Sequence, residues 1–299
     1  MRALVPAAGF GTRFRPATLA TPKPLLPLLG VPILVRLFRH LKAQGVTSAV
    51  LNAHHLAETL MVAVGDSCEG IPVAYSPEDP ILGTAGAIRR ASERGLLGDG
   101  PFLVVNGDLF TTLPFAPLRA ALDAPGVVSA LGVLPHAAPG ETALWGDADG
   151  RLVSLGDERP FPEATGPWLF TGLQCAAPAI VERIPPGVSE LARDVLRPST
   201  VRRDGAFALV PYRVPEDGLW FDLGSPSKLA AAEEAIAAAG RAGGRAPRRA
   251  RSPPANPTLP RRGPLVDRDR RGRGGKADER LPALRIAQPD RAGRAVAER

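Results

Sequence analysis

Cysteine is nearly missing from this chain: Cys68 and Cys175 are the only two in 299 residues. Two lone cysteines give neither a disulfide framework nor a metal-binding spacing, so buried thiols in a reducing cytosol are expected. Long apolar runs are missing as well. No stretch approaches the length of a membrane span, and Arg2 followed by a short apolar run and a glycine loop does not make a signal peptide. A cytoplasmic protein with no membrane partner is expected. Aromatic residues are only 5% of the sequence, and none falls after Phe221. Internal repeats are absent too, including the hexapeptide array of acyltransferases.

Acidic residues thin out towards the end. From Arg241 to Arg299 there are 17 Lys and Arg against 6 Asp and Glu, whereas residues 1–240 hold 20 against 24. The overall net charge of +7 therefore belongs to the last segment alone. That segment is rich in Pro and Gly and poor in aliphatics, the composition of a disordered tail. Arg248-Arg249, Arg261-Arg262 and Arg270-Arg271 are basic enough to meet an anion, but no aromatic side chain is present to stack on bases. No specific nucleic-acid partner is expected. The expected division is a folded domain over 1–240 and a basic tail over 241–299. The hydrophobic share of 44% suffices for a sizeable core.

What is present concentrates in Leu4 to Pro24, LVPAAGFGTRFRPATLATPKP. It opens as a buried strand and breaks into a loop where Gly9 and Gly11 sit among Ala8 and Thr12. Glycine lets backbone approach a ligand and aim successive N–H groups at it. Arg13, Arg15 and Lys23 follow. A dinucleotide fingerprint needs a third glycine opening a helix, and a P-loop needs Gly-Lys-Ser/Thr; Phe14-Arg15-Pro16 and Gly11-Thr12-Arg13 supply neither. A plain strand-to-helix turn would explain the glycines, but gathering three cations without an anion is costly. A polyphosphate site follows.

The next 130 residues alternate. Strands are predicted at Ala3–Ala7, Ser48–Asn52, Pro72–Tyr75, Phe102–Val105 and Val127–Val133. Helices are predicted at Ile33–Gln44, Leu56–Val64, Gly86–Arg94 and Leu118–Ala121. This predicts an α/β fold: a Rossmann-like, mostly parallel sheet with helices on both faces. Ligands in such sheets sit beyond the carboxyl ends of the strands, where the glycine loop, Glu78 and Asn106-Gly107-Asp108 all fall. Shorter β pieces at Leu144, Leu152–Ser154, Leu169–Cys175 and Phe207–Tyr212 suggest an added half, and a helix over Pro226–Ala239 closes the domain.

Several strings occur in a telling order: AAG-x-GTR-x-x-P-x-T-x-x-x-PKP, then Tyr75-Ser76-Pro77-Glu78 with Leu82-Gly83-Thr84-Ala85-Gly86, then Asn106-Gly107-Asp108. Gly156-Asp157-Glu158-Arg159-Pro160, Phe170-Thr171-Gly172 and Trp220-Phe221-Asp222-Leu223-Gly224-Ser225 follow. Together they resemble the sugar-1-phosphate nucleotidylyltransferases across roughly residues 1–239. Within that family the chain is most similar to uridylyltransferases acting on N-acetylmuramate 1-phosphate, with mannose-1-phosphate guanylyltransferases next. The resemblance implies attack by a sugar 1-phosphate on the α-phosphorus of a nucleoside triphosphate, UTP before GTP, with Mg²⁺ as cofactor. It also implies a cell-wall or nucleotide-sugar role, and a monomer or small homo-oligomer.

That chemistry sets anion against anion. A dianion about 4 Å from one phosphate charge is repelled by ~2 kcal/mol in water and ~8 kcal/mol at an effective dielectric near 20. Fixed cations and a metal must offset this, and the phosphate needs no general base. The resemblance implies that Arg13 holds the β- and γ-phosphates, that Lys23 bridges the α-phosphate and the sugar phosphate, and that Asp108 and Asp222 bind Mg²⁺. A turn aspartate explains Asp108 otherwise. A helix N-cap explains Asp222 otherwise, although Ser225 fits that cap better. It implies a nucleotide site that includes Gly11 and Thr12, with a base pocket from Glu78, Ala8, Gly9, Gly83 and Thr84, and sugar contacts from Asn106, Glu158, Arg159, Thr171 and Gly172. Arg159 stands where the family usually has lysine. A carboxylate only accepts hydrogen bonds, so Glu78 excludes neither uracil nor guanine. His54 and His55 are read as structural. A non-catalytic sensor of the same fold is the alternative, and loss of Arg13, Lys23, Asp108 or Asp222 would mark it; all four are present.

Overall fold

Arg2–Val5 (β1) is an apolar run whose Ala3, Leu4 and Val5 are fully buried, as a strand covered on both faces must be. It lies in the middle of a mixed sheet. The computed structural model describes residues 1–135, 141, 143–156, 158–201, 208–215 and 218–241. Asp157, Phe207 and nearly all of the basic segment lie outside the described residues, and with them the expectation of a disordered tail.

After β1 the chain runs through turns to a small ribbon, Pro27–Leu28 (β2) with Val31–Pro32 (β3), and into Ile33–Ala43 (α1). In α1, Ile33, Leu34, Leu37, Phe38 and Leu41 are buried while Arg39 and Lys42 are exposed, the helical spacing of one apolar face. Then follow Ser48–Ala53 (β4), Ala57–Val64 (α2), Ser67–Cys68 (β5), Ile71–Pro77 (β6), Gly83–Glu93 (α3) and Phe102–Val105 (β7). Parallel pairing joins β7 to β1, β1 to β4 and β4 to β6. Their carboxyl ends therefore open on one edge, which brings the segments after Val5, Ala53, Pro77 and Val105 together.

The second half is antiparallel for the most part. Leu109–Thr111 (β8), Ala116–Ala120 (α4), Val127–Pro135 (β9), Ala143–Gly146 (β10), Leu152–Leu155 (β11) and the twelve-residue Thr165–Ala176 (β12) come next. Arg197–Val201 (α5), Ala208–Arg213 (β13), Trp220–Asp222 (β14) and Pro226–Arg241 (α6) complete the described chain. The sheet order is β11-β10-β12-β7-β1-β4-β6-β5, with β9 also on β12 and β13 parallel to β9. Strand β12 is antiparallel to β7, so the parallel run ends there. Its ladder to β9 slips between Phe170 and Gln174, where Gly172 takes φ +74°. The predicted mostly parallel sheet thus carries an antiparallel wing.

A ribbon absent from the sequence reading joins β8 to β14 outside the main sheet, with Asp222 opposite Leu109. Phe221 and Phe110 stack across it with centroids 6.2 Å apart, and both pack on a cluster of Phe14, Leu26, Leu28, Ile33, Leu223 and Ala232. The apolar stretch around Trp220 is explained by this second core, which ties α6 to the first loop.

Candidate active site

The loop after β1 is three consecutive 3₁₀ turns, Thr12–Phe14, Ala17–Leu19 and Lys23–Leu25. Repeated turning folds this segment back on itself, so Arg13 and Lys23 face one cleft. Gly11 makes the first reversal possible at φ +61°; a Cβ there would lie 2.8 Å from Thr18 Cγ2 and 3.2 Å from Lys23 Cβ. Thr18 Oγ1 donates to the Gly11 carbonyl at 2.8 Å. Ala7 N–H donates to Asn52 Oδ1 at 2.6 Å, which pins the loop's start to the end of β4.

The cleft has a volume of about 340 Å³. From the first loop it is lined by Ala8, Gly9, Gly11, Thr12, Arg13 and Lys23. Gly83 and Thr84 at the start of α3, and Asn106 and Asp108 after β7, complete the sequence-predicted lining. Gly107 lets that last turn close on β1: its N–H donates to the Pro6 carbonyl at 3.0 Å, and a Cβ on it would sit 2.5 Å from the same oxygen.

Lys23 Nζ forms an ion pair with Asp108 Oδ2 on this surface, and its ammonium lies 5.6 Å from the Phe14 ring centroid. Its side chain is only 12% exposed, so the ammonium is held by its carboxylate partner and not by bulk water. Asp222 is the neighbouring acid. Leu223 N–H donates to the Asp108 carbonyl at 2.9 Å, and Asp222 Oδ2 pairs with Lys228 Nζ. Gly224 lies between the Asp222 carboxylate and Arg13: a Cβ there would be 2.8 Å from Asp222 Oδ1 and 3.3 Å from both terminal nitrogens of Arg13. Ser225 Oγ accepts the Lys228 N–H at 3.3 Å, so serine and not Asp222 caps α6.

Among the described residues no three His, Cys, Asp or Glu come together to hold a metal. The pair Asp108 and Asp222 suits Mg²⁺ nonetheless, because that ion takes one or two carboxylates and completes its shell with phosphate and water oxygens. Arg13 and Lys23 line the same cleft as Asp108, so cations and a carboxylate face one space.

Asp222, set behind Gly224, and four other expected contacts line neither this cleft nor the smaller cavity beside it. Glu78 is buried, at 4% exposure, and does not line the cleft. Its Oε1 accepts from Asn52 Nδ2 and its Oε2 from Leu82 N–H, both at 2.8 Å. It ties the end of β4 to the loop that leads into α3, because a buried carboxylate must find donors and the protein supplies two. Thr171 is buried too; its hydroxyl donates to the Gly132 carbonyl at 2.7 Å and its carbonyl accepts from Trp220 Nε1 at 2.8 Å. Its two neighbours, Phe170 and Gly172, line the smaller cavity beside the cleft. Glu158 and Arg159 are exposed and line no cavity described here. Arg159 is drawn aside by the Trp145 ring, 5.5 Å away, and by the Pro162 carbonyl.

His54 and His55 behave as expected of structural residues. His54 Nδ1 bonds the Glu78 carbonyl at 2.9 Å and His55 Nε2 the Thr18 carbonyl at 2.8 Å. Both nitrogens must carry hydrogen, since a carbonyl only accepts. Both rings also touch Phe10.

Three residues of the site escaped the sequence reading. Asn52 lines the cleft and is 3% exposed; the signal was a lone amide at the end of an apolar strand, which must be bonded when buried. Lys228 left a faint signal as the only cation close after Asp222. Glu190 lines the cleft from a segment with no recognisable pattern.

Residues 2–138 match the nucleotidyl transferase family (NTP_transferase). The N-acetylmuramate alpha-1-phosphate uridylyltransferase of Neisseria meningitidis serogroup B is 36% identical over 245 residues, covering 80% of this chain and 99% of that protein. A probable mannose-1-phosphate guanylyltransferase 1 of Oryza sativa subsp. japonica is 32% identical over 232 residues, which are 76% of this chain and 62% of that longer protein. Among solved structures, HddC from Yersinia pseudotuberculosis complexed with GMP-PN has a TM-score of 0.63 at 22% identity, covering 79% of this chain and 99% of that one. UDP-glucose pyrophosphorylase complexed with UDP-glucose has a TM-score of 0.64 at 18% identity, covering 79% and 98%. The structural likenesses establish the shared fold.

Proposed function

The chain belongs to the sugar-1-phosphate nucleotidyltransferases, and on that premise we propose that it transfers uridylyl from UTP to a sugar 1-phosphate. The observation that carries this reading is the convergence of Arg13, Lys23, Asp108 and the glycine-loop backbone on one cleft. A sugar-phosphate oxygen forms the new bond to the α-phosphorus, the bond to the β-bridging oxygen breaks, and pyrophosphate leaves with the electron pair. No proton needs removing from the nucleophile, which accounts for a cleft with no histidine among its described lining residues.

In this reading the backbone from Ala8 to Thr12 cradles the triphosphate and Arg13 holds the leaving pyrophosphate. Lys23 has three ammonium hydrogens. One stays on Asp108 while others bridge the α-phosphate and the incoming phosphate, stabilising charge as it moves. Asp108 and Asp222 would hold Mg²⁺, which supplies further charge neutralisation when bound. Base selection falls to the groups that line the cleft, Asn52 and the backbone around Gly83, with Glu78 holding both in place from behind. Sugar contacts fall to Asn106 and Gly172.

UTP is proposed over GTP because the uridylyltransferase relative is matched over its whole length. Guanylyl transfer is the second reading, favoured by the 32% identity to the Oryza sativa guanylyltransferase. A cytosolic setting goes with the reaction, since its triphosphate donor is made there. Pyrophosphate release measured with UTP and GTP against several sugar 1-phosphates tests all of this. A tenfold higher kcat/KM for GTP, about 1.4 kcal/mol in transition-state binding, overturns the choice of base alone.

A further inference from the structure

Beside the main cleft is a smaller cavity of about 160 Å³. Thr84, Asn106 and Glu190 line both, so they stand where the two meet. The rest of the smaller cavity is apolar or glycine, with Val104, Phe170, Leu191 and Ala192 on its wall. Glu190 is its only charged side chain, and no Lys or Arg lines it among the described residues.

The backbone at Glu190 is held from both sides, and the residue itself is exposed. Its N–H donates to Asp194 Oδ2 at 2.7 Å, and Asp194 is gripped in turn by Arg193 through two bonds of 2.7 Å. The preceding Ser189 is buried; its carbonyl accepts from Ala85 and Gly86 N–H at 3.1 Å, and its own N–H donates to the Leu82 carbonyl at 2.8 Å. The carboxylate lies against Gly83, where a Cβ would stand 2.7 Å from Glu190 Oε1. The missing side chain of Gly83 makes the room that the carboxylate occupies.

We infer that Glu190 is a specificity residue that accepts hydrogen bonds from hydroxyls of the sugar and turns away a sugar bearing a second acid at that face. The inference rests on the transfer reaction proposed above. A carboxylate only accepts, so it suits a neutral hydroxylated ring. An anionic substituent would meet a like charge in a cavity whose described lining holds no cation to offset it. The sugar is then a neutral hexose or N-acetylhexosamine 1-phosphate, and a lactyl-bearing muramate is disfavoured.

Calorimetric binding of UDP-N-acetylglucosamine and UDP-N-acetylmuramate to the full chain separates the outcomes, because the two differ by the lactyl acid. The wild type is expected to bind the neutral form at least about tenfold tighter. Glu190→Gln should shrink that ratio about fivefold or more, and Glu190→Asp should keep most of it. Equal or tighter binding of the muramate form by the wild type, or an unchanged ratio in folded Glu190→Gln, overturns the inference. Pyrophosphate release is followed in parallel. Discrimination without turnover on any sugar 1-phosphate would sink the transfer reaction and leave the role of Glu190 standing; turnover without discrimination would do the reverse. Failure to bind either nucleotide sugar overturns both.

Discussion

Asp108 and Asp222 each carry a lysine, Lys23 and Lys228, on one carboxylate oxygen. If they hold the metal as proposed, Asp108→Ala and Asp222→Ala should each lower kcat by about 10²–10⁴, several kcal/mol of lost charge stabilisation. Circular dichroism should stay native, because both sit at strand ends and not in the core. Near-normal turnover at low Mg²⁺ by either folded variant would remove that residue from the metal site. Glu78 gives a prediction of another kind. With one oxygen facing an N–H donor from Leu82 and the other an NH₂ donor from Asn52, Glu78→Gln must set its own NH₂ against one of them. A buried unsatisfied donor costs about 1–3 kcal/mol, which urea denaturation should register together with a raised KM for the triphosphate. Unchanged stability would show that Glu78 is not the tie between these loops.

Among the elements, the glycine-bearing segments are not equivalent. Gly83 has φ +73° and a Cβ position 2.6 Å from the Ser189 carbonyl, whereas Gly9 has open space around it. Gly83→Ala is expected to cost about 1–3 kcal/mol from backbone strain, with further loss as the Ser189–Glu190 strap is pushed back. Gly9→Ala should leave the melting temperature within a degree or two. Equal melting curves for the two variants would contradict this division. Helix α1 offers a pH test through its last turn. His40 Nε2 bonds the Leu113 carbonyl at 2.8 Å and its ring packs edge-on to Phe115; burial holds its pKa below the ordinary 6.5. The unfolded chain therefore takes up this proton first as pH falls. The contribution of His40 to stability is complete above about pH 6.5 and declines below it towards the depressed folded value. His40→Gln, which retains a donor for Leu113, should have a melting temperature that falls less between pH 7 and pH 5. A parallel fall in both proteins would assign the effect elsewhere.

Legibility also sorted by element. Strands β1, β4, β6 and β7 were readable because a strand buried on both faces is a short apolar run, and their shared edge followed from the alternation. The ribbon of β8 and β14 was not: three residues of each pair across more than a hundred positions of sequence, and no local pattern announces a long-range partner. Cations on the first loop were legible because charge clustering has a cost. Glu78 is legible as a residue but its partners Asn52 and Leu82 are not, since spacing says where a carboxylate stands and not which donors reach it. Glu158 and Arg159 were carried by likeness alone, and Trp145 holds the arginine away from both cavities.

At the scale of the whole molecule the charge division matters most. Residues 1–240 are net acidic and the basic excess lies beyond them, so the anionic substrates are met by a few placed cations and not by a basic surface. Composition assigns the activity to the first segment. Removing residues 242–299 is expected to leave kcat and melting temperature within about 20% and 2 °C of the full chain, because that segment has few aliphatics and no aromatics to bury. A large fall in either would give the segment a part in the fold or the site.

The most direct measurement is pyrophosphate release by the full chain, with UTP and a sugar 1-phosphate supplied together and each supplied alone. A sugar-1-phosphate uridylyltransferase forms pyrophosphate only with both present, in one-to-one ratio with a UDP-sugar, and runs backwards when UDP-sugar and pyrophosphate are added. Pyrophosphate released from UTP without a sugar phosphate, or no release with any pairing of UTP or GTP and a sugar 1-phosphate, would contradict the reading of this cleft as a nucleotidyl-transfer site.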